Sequence, residues 1–592
     1  MSFILGKVSL GPHPLPPSAR QQIDRLLADA PGRTFRFDSP HAAVRKVDLG
    51  VFEDDGFAAD GSNATVIAGH PLMPSPQGIQ GASAGRGATT LNRSSPAELQ
   101  ELATSARGTW AACRFAESPR ELTLISDRIG ARPLYWWTDG HTALFASTIR
   151  AASGMFDMDL KVDVRAVVEE LILGYPLSDR THFYGIKRVG PGEIVRISAR
   201  GAVVCPYAQW PLDGDASEDV GARARRTLAA LRTAVEIRAQ GRSEAITFLS
   251  GGMDSRAINA LLHEQGLRIH AFTFSPEDRL DNVLARAYAE VIDCHHVVRS
   301  DLGWVNLNFA DTLKRAWADE GTPPTQARFE SLLPAWSGDG GSVCGGWVYL
   351  TDTMVRGLRE GRPRDAVGEY LRRYASSISP QDIVAEGRTW LRTAVTDSIL
   401  AELARTPAPD PVTAFFHFLV RNDQRRHLDR HHENILEHGV EFWLPFFDTE
   451  FLLHSFAALP DENIGHGFYS RWFELLPDHS RSVAWQTYPG HRPCPIPLPD
   501  NLTDQWAGLS ASDRQARARH SRKMSLRVFR PRFPVEVFSR KRFLLRFVAH
   551  HLRLRDSGTA FDQLDMVSRY LRDASGSVLP WVTPARQLEG ED

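Results

Sequence analysis

A chain of 592 residues is too long for one core; at roughly 100–200 residues per domain it holds about two to four. Hydrophobic residues make up 42% and charged residues 24%, which excludes wholesale disorder. Lys and Arg number 69 against 71 Asp and Glu, and a net charge of -2 averaged over the chain marks no nucleic-acid binder.

The five cysteines, Cys113, Cys205, Cys294, Cys344 and Cys494, are far apart and form no C-x-x-C pair. That argues against a disulfide framework or a structural zinc site. Met1 to Lys7 is too short an apolar stretch for a signal peptide, and no run approaches the ~18 apolar residues of a membrane span. The expectation is a cytoplasmic protein.

From Met1 to about Cys205 the sequence reads as short strands broken by turns, a layered antiparallel β domain with a few helices. A Gly/Ser/Pro-rich stretch from Pro74 to Ala88 reads as a mobile loop. Apolar runs follow at Trp110–Phe115, Leu122–Ile125, Leu134–Trp137 and Leu144–Ala146, with Asp139-Gly140 as a hairpin turn between the last two. Residues 206–219, polar and rich in Pro, Gly and Asp, read as a linker between a domain at 1–205 and a second at 220–592. A helix is expected over Ala222–Ala239. Strands at Glu244–Phe248, Arg268–Phe274 and His296–Val298 then alternate with helices at Arg256–Gly266 and Asp281–Ile292. That alternation predicts a doubly wound parallel α/β sheet with a helical carboxyl-terminal part.

The chemistry is carried by Ser250-Gly251-Gly252-Met253-Asp254-Ser255, which runs from an apolar strand into a helix. Glycines let backbone amides approach an anion, serine hydroxyls add donors, and the helix start favours negative charge. Asp254 is suited to hold Mg²⁺ against phosphate oxygens. No G-K-[ST] follows, which disfavours kinase or GTPase chemistry.

S-G-G-x-D-S resembles the pyrophosphate-binding loop of ATP pyrophosphatases, which adenylate a carboxyl or similar oxygen. Further segments resemble class B asparagine synthetases: Ser126–Tyr135 with Phe145-Ala146-Ser147, Phe183–Gly192, Asp281 through Ala289 to His295-His296, and Glu441–Asp448. The resemblance implies an N-terminal-nucleophile (Ntn) amidotransferase-like first domain and an adenylating second domain. It implies ATP held by Leu249, Ser250, Gly251, Gly252, Asp254, Ser255, Thr273, Phe274 and Gly338. Mg²⁺ would sit on Asp254, with Asp339 as a further ligand.

Three departures shape the functional reading. Glutamine-hydrolysing relatives carry a cysteine directly after Met1, and here the residue is Ser2, so the first domain reads as a scaffold that releases no ammonia. In Ser337-Gly338-Asp339-Gly340-Gly341-Ser342, Ser342 stands where the family has its second metal aspartate. Asp339 then either compensates as metal ligand or acts on the nucleophile. Trp443 replaces the family arginine, while Glu441 matches a catalytic or orienting carboxylate.

Without ammonia the amine comes from elsewhere, as in β-lactam synthetases and lasso-peptide cyclases. Trp485–Pro495 looks like the lasso-cyclase form of the carboxyl-terminal loop, in which His491 or Arg492 would supply the positive charge that other branches take from lysine. The resemblance implies a lasso-precursor peptide substrate and a leader peptidase or leader-binding partner. β-Lactam synthesis, asparagine synthesis from free ammonia and an inactive peptide-binding scaffold stand as the alternatives. Asp339, Glu441 and His491 are the candidates for the amine's proton.

Between Arg514 and Arg555 lie fourteen Lys and Arg against one acid, Glu536, a local charge of +13. Interleaved Leu, Val and Phe predict helices with one packed face. The segment reads either as a surface for an acidic peptide or partner or as a solvated face; no nucleic-acid motif accompanies it.

Overall fold

The computed structural model describes residues 2–578 except 29, 31, 53–54, 76–77, 80–86, 157–159, 215, 278, 300–333, 376–377, 385–387, 434–440, 501, 503–510, 531–532, 536 and 574–576. Most of the Gly/Ser/Pro-rich stretch expected to be a mobile loop lies outside these residues. So do Arg532 and Glu536 of the basic segment.

The chain forms two compact units, one of residues 1–155, 189–351 and 408–508, the other of 156–188, 352–407 and 509–592. The first unit opens with two antiparallel sheets. In one, Tyr135–Thr138, Thr142–Ala146, Phe3–Ser9, Ala42–Asp48 and Arg33–Asp38 lie side by side. In the other the order is Gly201–Pro206, Glu193–Ser198, Arg120–Ser126, Trp110–Glu117, Ala64–Gly69 and Phe57–Ala59. Alternate side chains of the two sheets, among them Ile4, Val44, Val66, Phe115, Leu124 and Phe145, share a buried core. Helices Gly87–Arg93 and Pro96–Ser105 cover the outer face of the second sheet through Leu91, Leu99, Trp110 and Ile125. The expected hairpin forms, and Gly140 takes the left-handed φ of +85° that its turn requires.

The same unit holds a five-stranded parallel sheet in the order His295–Val298, Arg268–Thr273, Glu244–Phe248, Ala335–Trp336, Phe442–Trp443. The three strands read from sequence form one half. The other two are two residues long, too short to leave a periodic signal. Helix Met253–Glu264 begins three residues earlier than its apolar spacing predicts, because Asp254 and Ser255 belong to its first turn.

Arg107 and Arg238 meet on Asp448, tying the β layers to the α/β part. Arg107 Nε donates to Asp448 Oδ1 at 2.9 Å and Arg238 Nη1 to Oδ2 at 2.9 Å. Asp448 is fully buried and also caps helix Thr449–Phe456 through the Glu450 amide.

The second unit is mainly helical. It takes residues 156–188 from the stretch that the sequence placed in the first domain, so the compact units and the 1–205 and 220–592 division do not coincide. Arg165 on helix Val164–Leu173 donates to Ser398 on helix Arg388–Arg405 at 3.0 Å, and the Tyr175 and Tyr370 hydroxyls lie 3.3 Å apart. Among the described residues no helix is long and apolar enough to cross a membrane. All five cysteines are free thiols.

Candidate active site

The loop after strand Glu244–Phe248 folds onto its own serine hydroxyls. The Ser250 amide donates to Ser255 Oγ at 2.9 Å, the two hydroxyls are 2.9 Å apart, and the Gly252 amide donates to Ser250 Oγ at 3.2 Å. The Gly251 amide donates instead to Asp281 Oδ1 at 3.0 Å, which also accepts from the Gln486 side chain at 2.8 Å. A Cβ on Gly251 would meet that Gln486 nitrogen at 2.8 Å, so the close approach needs glycine. A phosphate reaching this amide has to displace Asp281. The Ser250, Gly251 and Gly252 amides are thus all bonded within the protein, and of the nucleotide residues expected from sequence Gly251 is the one that does not line the neighbouring cavity.

Leu249, Ser250, Gly252, Asp254, Ser255, Thr273 and Phe274 line one cavity of about 330 Å³, together with Gly338 and Asp339 from the turn after strand Ala335–Trp336. The cavity lies beyond the carboxyl ends of parallel strands, where open α/β sheets bind ligands, and its volume suits a small molecule. Thr273 Oγ1 donates to the Leu249 carbonyl at 2.6 Å, fixing the first strand's end against the second. A Cβ on Gly338 would lie 2.6 Å from the Ser255 amide nitrogen, so the two loops pack backbone to backbone.

Asp254 sits buried at this junction. Its Oδ2 accepts from the Ser342 amide at 3.0 Å and hydroxyl at 2.7 Å, and its Oδ1 accepts from the Tyr469 hydroxyl at 2.5 Å. Burial pushes the carboxyl up to about 6; the Tyr469 and Ser342 bonds pull the other way, and the charge of Asp339 adds to the rise. Asp339 is partly exposed, accepts from Ser337 Oγ at 2.5 Å, and has His427 Nε2 3.5 Å from its Oδ1. Two carboxylates on one cavity, with the charge of Asp339 felt at Asp254, are a donor set that fits a hard divalent cation. Among the described residues no three His, Cys, Asp or Glu gather around a metal position. Such an ion would therefore take its remaining ligands from water and substrate oxygens.

Both neighbouring segments that shape the cavity wall are π-helical turns, Gly341–Gly345 and Val420–Gln424, which place Ser342, Val343 and Gln424 on it. The π turn is rare and concentrates at functional sites. His466 is a further wall residue that the sequence did not single out. Its backbone is left-handed at φ +64°, its ring stacks on Tyr469 at 5.2 Å, and burial, aided by His491, pushes it down to about 3, so it is neutral.

Three expected catalytic residues stand outside the cavity. Glu441 is buried against the β layers: Arg132 Nη2 donates to its Oε2 at 2.7 Å and the Ser2 amide donates to its Oε1. Burial alone would raise this carboxyl, but Arg132 and the Ser2 amide hold it below its ordinary value. Both oxygens are thus committed, and a proton-handling role for Glu441 gives way to a structural one. Glu441→Gln should lower stability by about 3–5 kcal/mol, because Arg132 stays buried without its partner; denaturant titration checks this. Arg492 pairs with Glu474 at 2.9 Å on the surface and does not line the cavity. His491 reaches it only through its neighbours, its ring 4.9 Å from His466 and 5.8 Å from Tyr488.

Ser2 is buried too, its hydroxyl donating to Asp48 Oδ1 at 2.9 Å. Trp443 packs on Phe52 at 4.9 Å, with Arg238 above its ring at 5.7 Å, so the position of the family arginine is filled by an aromatic cluster.

Residues 226–467, which hold the loop, Asp339 and the parallel sheet, match the asparagine synthase family model, and residues 98–208 match the glutamine amidotransferase domain model. Over these residues the chain is similar to asparagine synthetases. It is 30% identical to glutamine-hydrolysing asparagine synthetase 3 of Bacillus subtilis over 26% of this chain and 25% of the relative. It is 28% identical to a putative glutamine-hydrolysing asparagine synthetase of Mycobacterium bovis over 34% of this chain and 32% of that one. The chain therefore aligns with a third or less of these relatives' length. A solved glutamine phosphoribosylpyrophosphate amidotransferase from B. subtilis, complexed with ADP and GMP, superposes with a TM-score of 0.24 at 10% identity, over 57% of this chain and 81% of that one. Segment 485–495, with His491 and Arg492, lies outside the residues that match either family model.

Proposed function

We propose that this chain is an ATP-dependent, AMP-forming amide ligase that closes a macrolactam in a lasso-precursor peptide. The observation that carries the reading is the junction of the serine–glycine loop with Asp254 and Asp339 on one cavity at the strand ends. The Ser2 hydroxyl, already donating to Asp48, supports an amine taken from the substrate rather than from glutamine.

In this scheme ATP lies along Leu249, Ser250, Gly252 and Ser255, with the amides at the start of helix Met253–Glu264 facing its phosphates. An Asp or Glu side-chain carboxylate of the peptide attacks the α-phosphorus, and pyrophosphate leaves. Mg²⁺ held by Asp254 and Asp339 would neutralise charge on the phosphate oxygens. The peptide's amine then attacks the acyl carbon, the amide C–N bond forms, and AMP departs. An α-amine of pKa about 7.7–8.0 is partly neutral near pH 7–8, so the chain's main task is to hold the ring-closing geometry and exclude water. Where Asp254 alone holds the ion, Asp339, with His427 Nε2 3.5 Å from its Oδ1, would receive the amine's proton instead. A leader peptidase or leader-binding protein would deliver the cleaved peptide.

Incubation with precursor peptide, partner peptidase and ATP should yield AMP and a core peptide lighter by one water. Formation of ADP sinks the adenylation scheme. AMP formation without ring closure removes the peptide-cyclase branch and leaves a ligase for another amine. Glutamine should release no glutamate in the same mixture; measurable glutaminase activity overturns the reading of Ser2.

A further inference from the structure

Within the basic segment, helix Arg540–His551 has two apolar sides. Phe543 and His550 on helix Arg540–His551 face inward, their rings 5.1 Å from Phe538 and 5.5 Å from Phe561 respectively. Arg546 Nε donates to the buried Asp382 at 2.6 Å, which fixes the helix's rotation. On the opposite side Leu544, Leu545, Val548 and the capping Leu552 are between 38% and 63% exposed. At 3.6 residues per turn they fall within an arc of roughly 100°. Phe529, exposed on the adjoining turn, sets its ring 4.8 Å from Phe547 and widens that arc. Eight of the fifteen large apolar side chains exposed among the described residues lie between Leu526 and Leu554. Isolated exposed leucines are ordinary, but such a concentration marks a surface that something covers.

The charges around the arc name its occupant. Lys541 and Arg542 stand at the start of the helix, whose twelve residues span about 18 Å, and Arg553 and Arg555 follow its carboxyl end. The nearby acids on the next helix, Asp562 and Asp565, are paired with His520 and Arg527, and Asp556 lies just past the cationic end. A second copy would bring like charges together. A nucleic acid would leave the leucines without a use. Protein interface rims mix donors, acceptors and both charges. A uniformly anionic plane matches an apolar centre with cations at both ends.

We propose that the outward face of helix Arg540–His551 docks on an anionic lipid bilayer. Leu544, Leu545, Val548 and Leu552 enter the boundary between headgroups and acyl chains. The long stems of Lys541, Arg542, Arg553 and Arg555 let their charged ends reach lipid phosphates. This surface is independent of the ligase reading.

Sedimentation of the full chain with vesicles tests it. With vesicles of equal parts phosphatidylglycerol and phosphatidylcholine, binding should exceed that to pure phosphatidylcholine by at least about tenfold. It should weaken at about 1 M salt, where screening acts within ~3 Å. The triple variant Leu545→Ser, Val548→Ser, Leu552→Ser and, separately, Lys541→Glu with Arg542→Glu should each lose that binding while keeping the native circular dichroism spectrum. If the triple variant fails to fold, the charge variant alone decides, since Lys541 is exposed and Arg542 half-buried, neither in the core. Absence of binding to the anionic vesicles, or binding that the charge variant leaves unchanged, overturns the proposal. So does light scattering that shows a dimer lost on the triple substitution, because a second copy would then cover the face.

Discussion

Asp254→Asn should lower AMP formation by at least about 100-fold, the scale on which a charged group aligned with a reacting phosphate acts. Its fold should survive, since the amide keeps the shape: its oxygen can still accept from the Ser342 amide and hydroxyl, and its NH2 can donate to the Tyr469 oxygen. The carboxyl's position near 6 gives a second signature. In the nucleotide-free protein Asp254 is largely protonated below that pH, so activity limited by its charge rises as pH climbs from about 5 to 7. Stability runs the other way. Between the ordinary value of 3.8 and about 6 the folded chain keeps a proton that the unfolded chain has lost. Unfolding then binds fewer protons, and the free energy of unfolding falls as pH rises through that window. Opposed slopes of activity and stability, both absent in Asp254→Asn, would tie them to this one carboxyl. Parallel slopes would place the titrating group elsewhere.

Much of this site was legible in the chain because its loop is local. Ser250 to Ser255 are contiguous, with a strand before them and a helix after them. The Ser337–Ser342 turn was legible for the same reason. What the sequence could not show is which distant side chains close on that loop. Tyr469 lies 215 residues from Asp254 and Gln486 lies 205 from Asp281, and neither sits in a motif that announces the contact. Glu441 shows the reverse case. The family motif marked it as chemical, but its neighbours across the interface, Arg132 and Ser2, use both of its oxygens. The outward leucines of helix Arg540–His551 were read as a packed face because periodicity reports an apolar stripe without saying which side is covered.

Asp448→Ala should destabilise the first unit by about 3–5 kcal/mol, the cost of leaving a buried charge without its partner. Two guanidiniums are affected. Arg238 is buried, with Asp448 the carboxylate that offsets the lowering burial imposes on it, and Arg107 has both Nε and Nη2 on Oδ1. The capped start of helix Thr449–Phe456 loses its carboxylate as well, a further ~1 kcal/mol. Arg107 belongs to the β layers, Arg238 to helix Val220–Ala239, and Asp448 follows the last strand of the parallel sheet. The variant should therefore loosen the junction first. Hydrogen exchange at Arg107 to Trp110 and along helix Thr449–Phe456 should rise before that of the sheet cores. The double variant Asp448→Leu with Arg107→Met should recover part of the loss, since it removes one stranded charge along with its partner and leaves Arg238 alone. No recovery would mean that Arg238 and the helix cap, rather than Arg107, hold the junction.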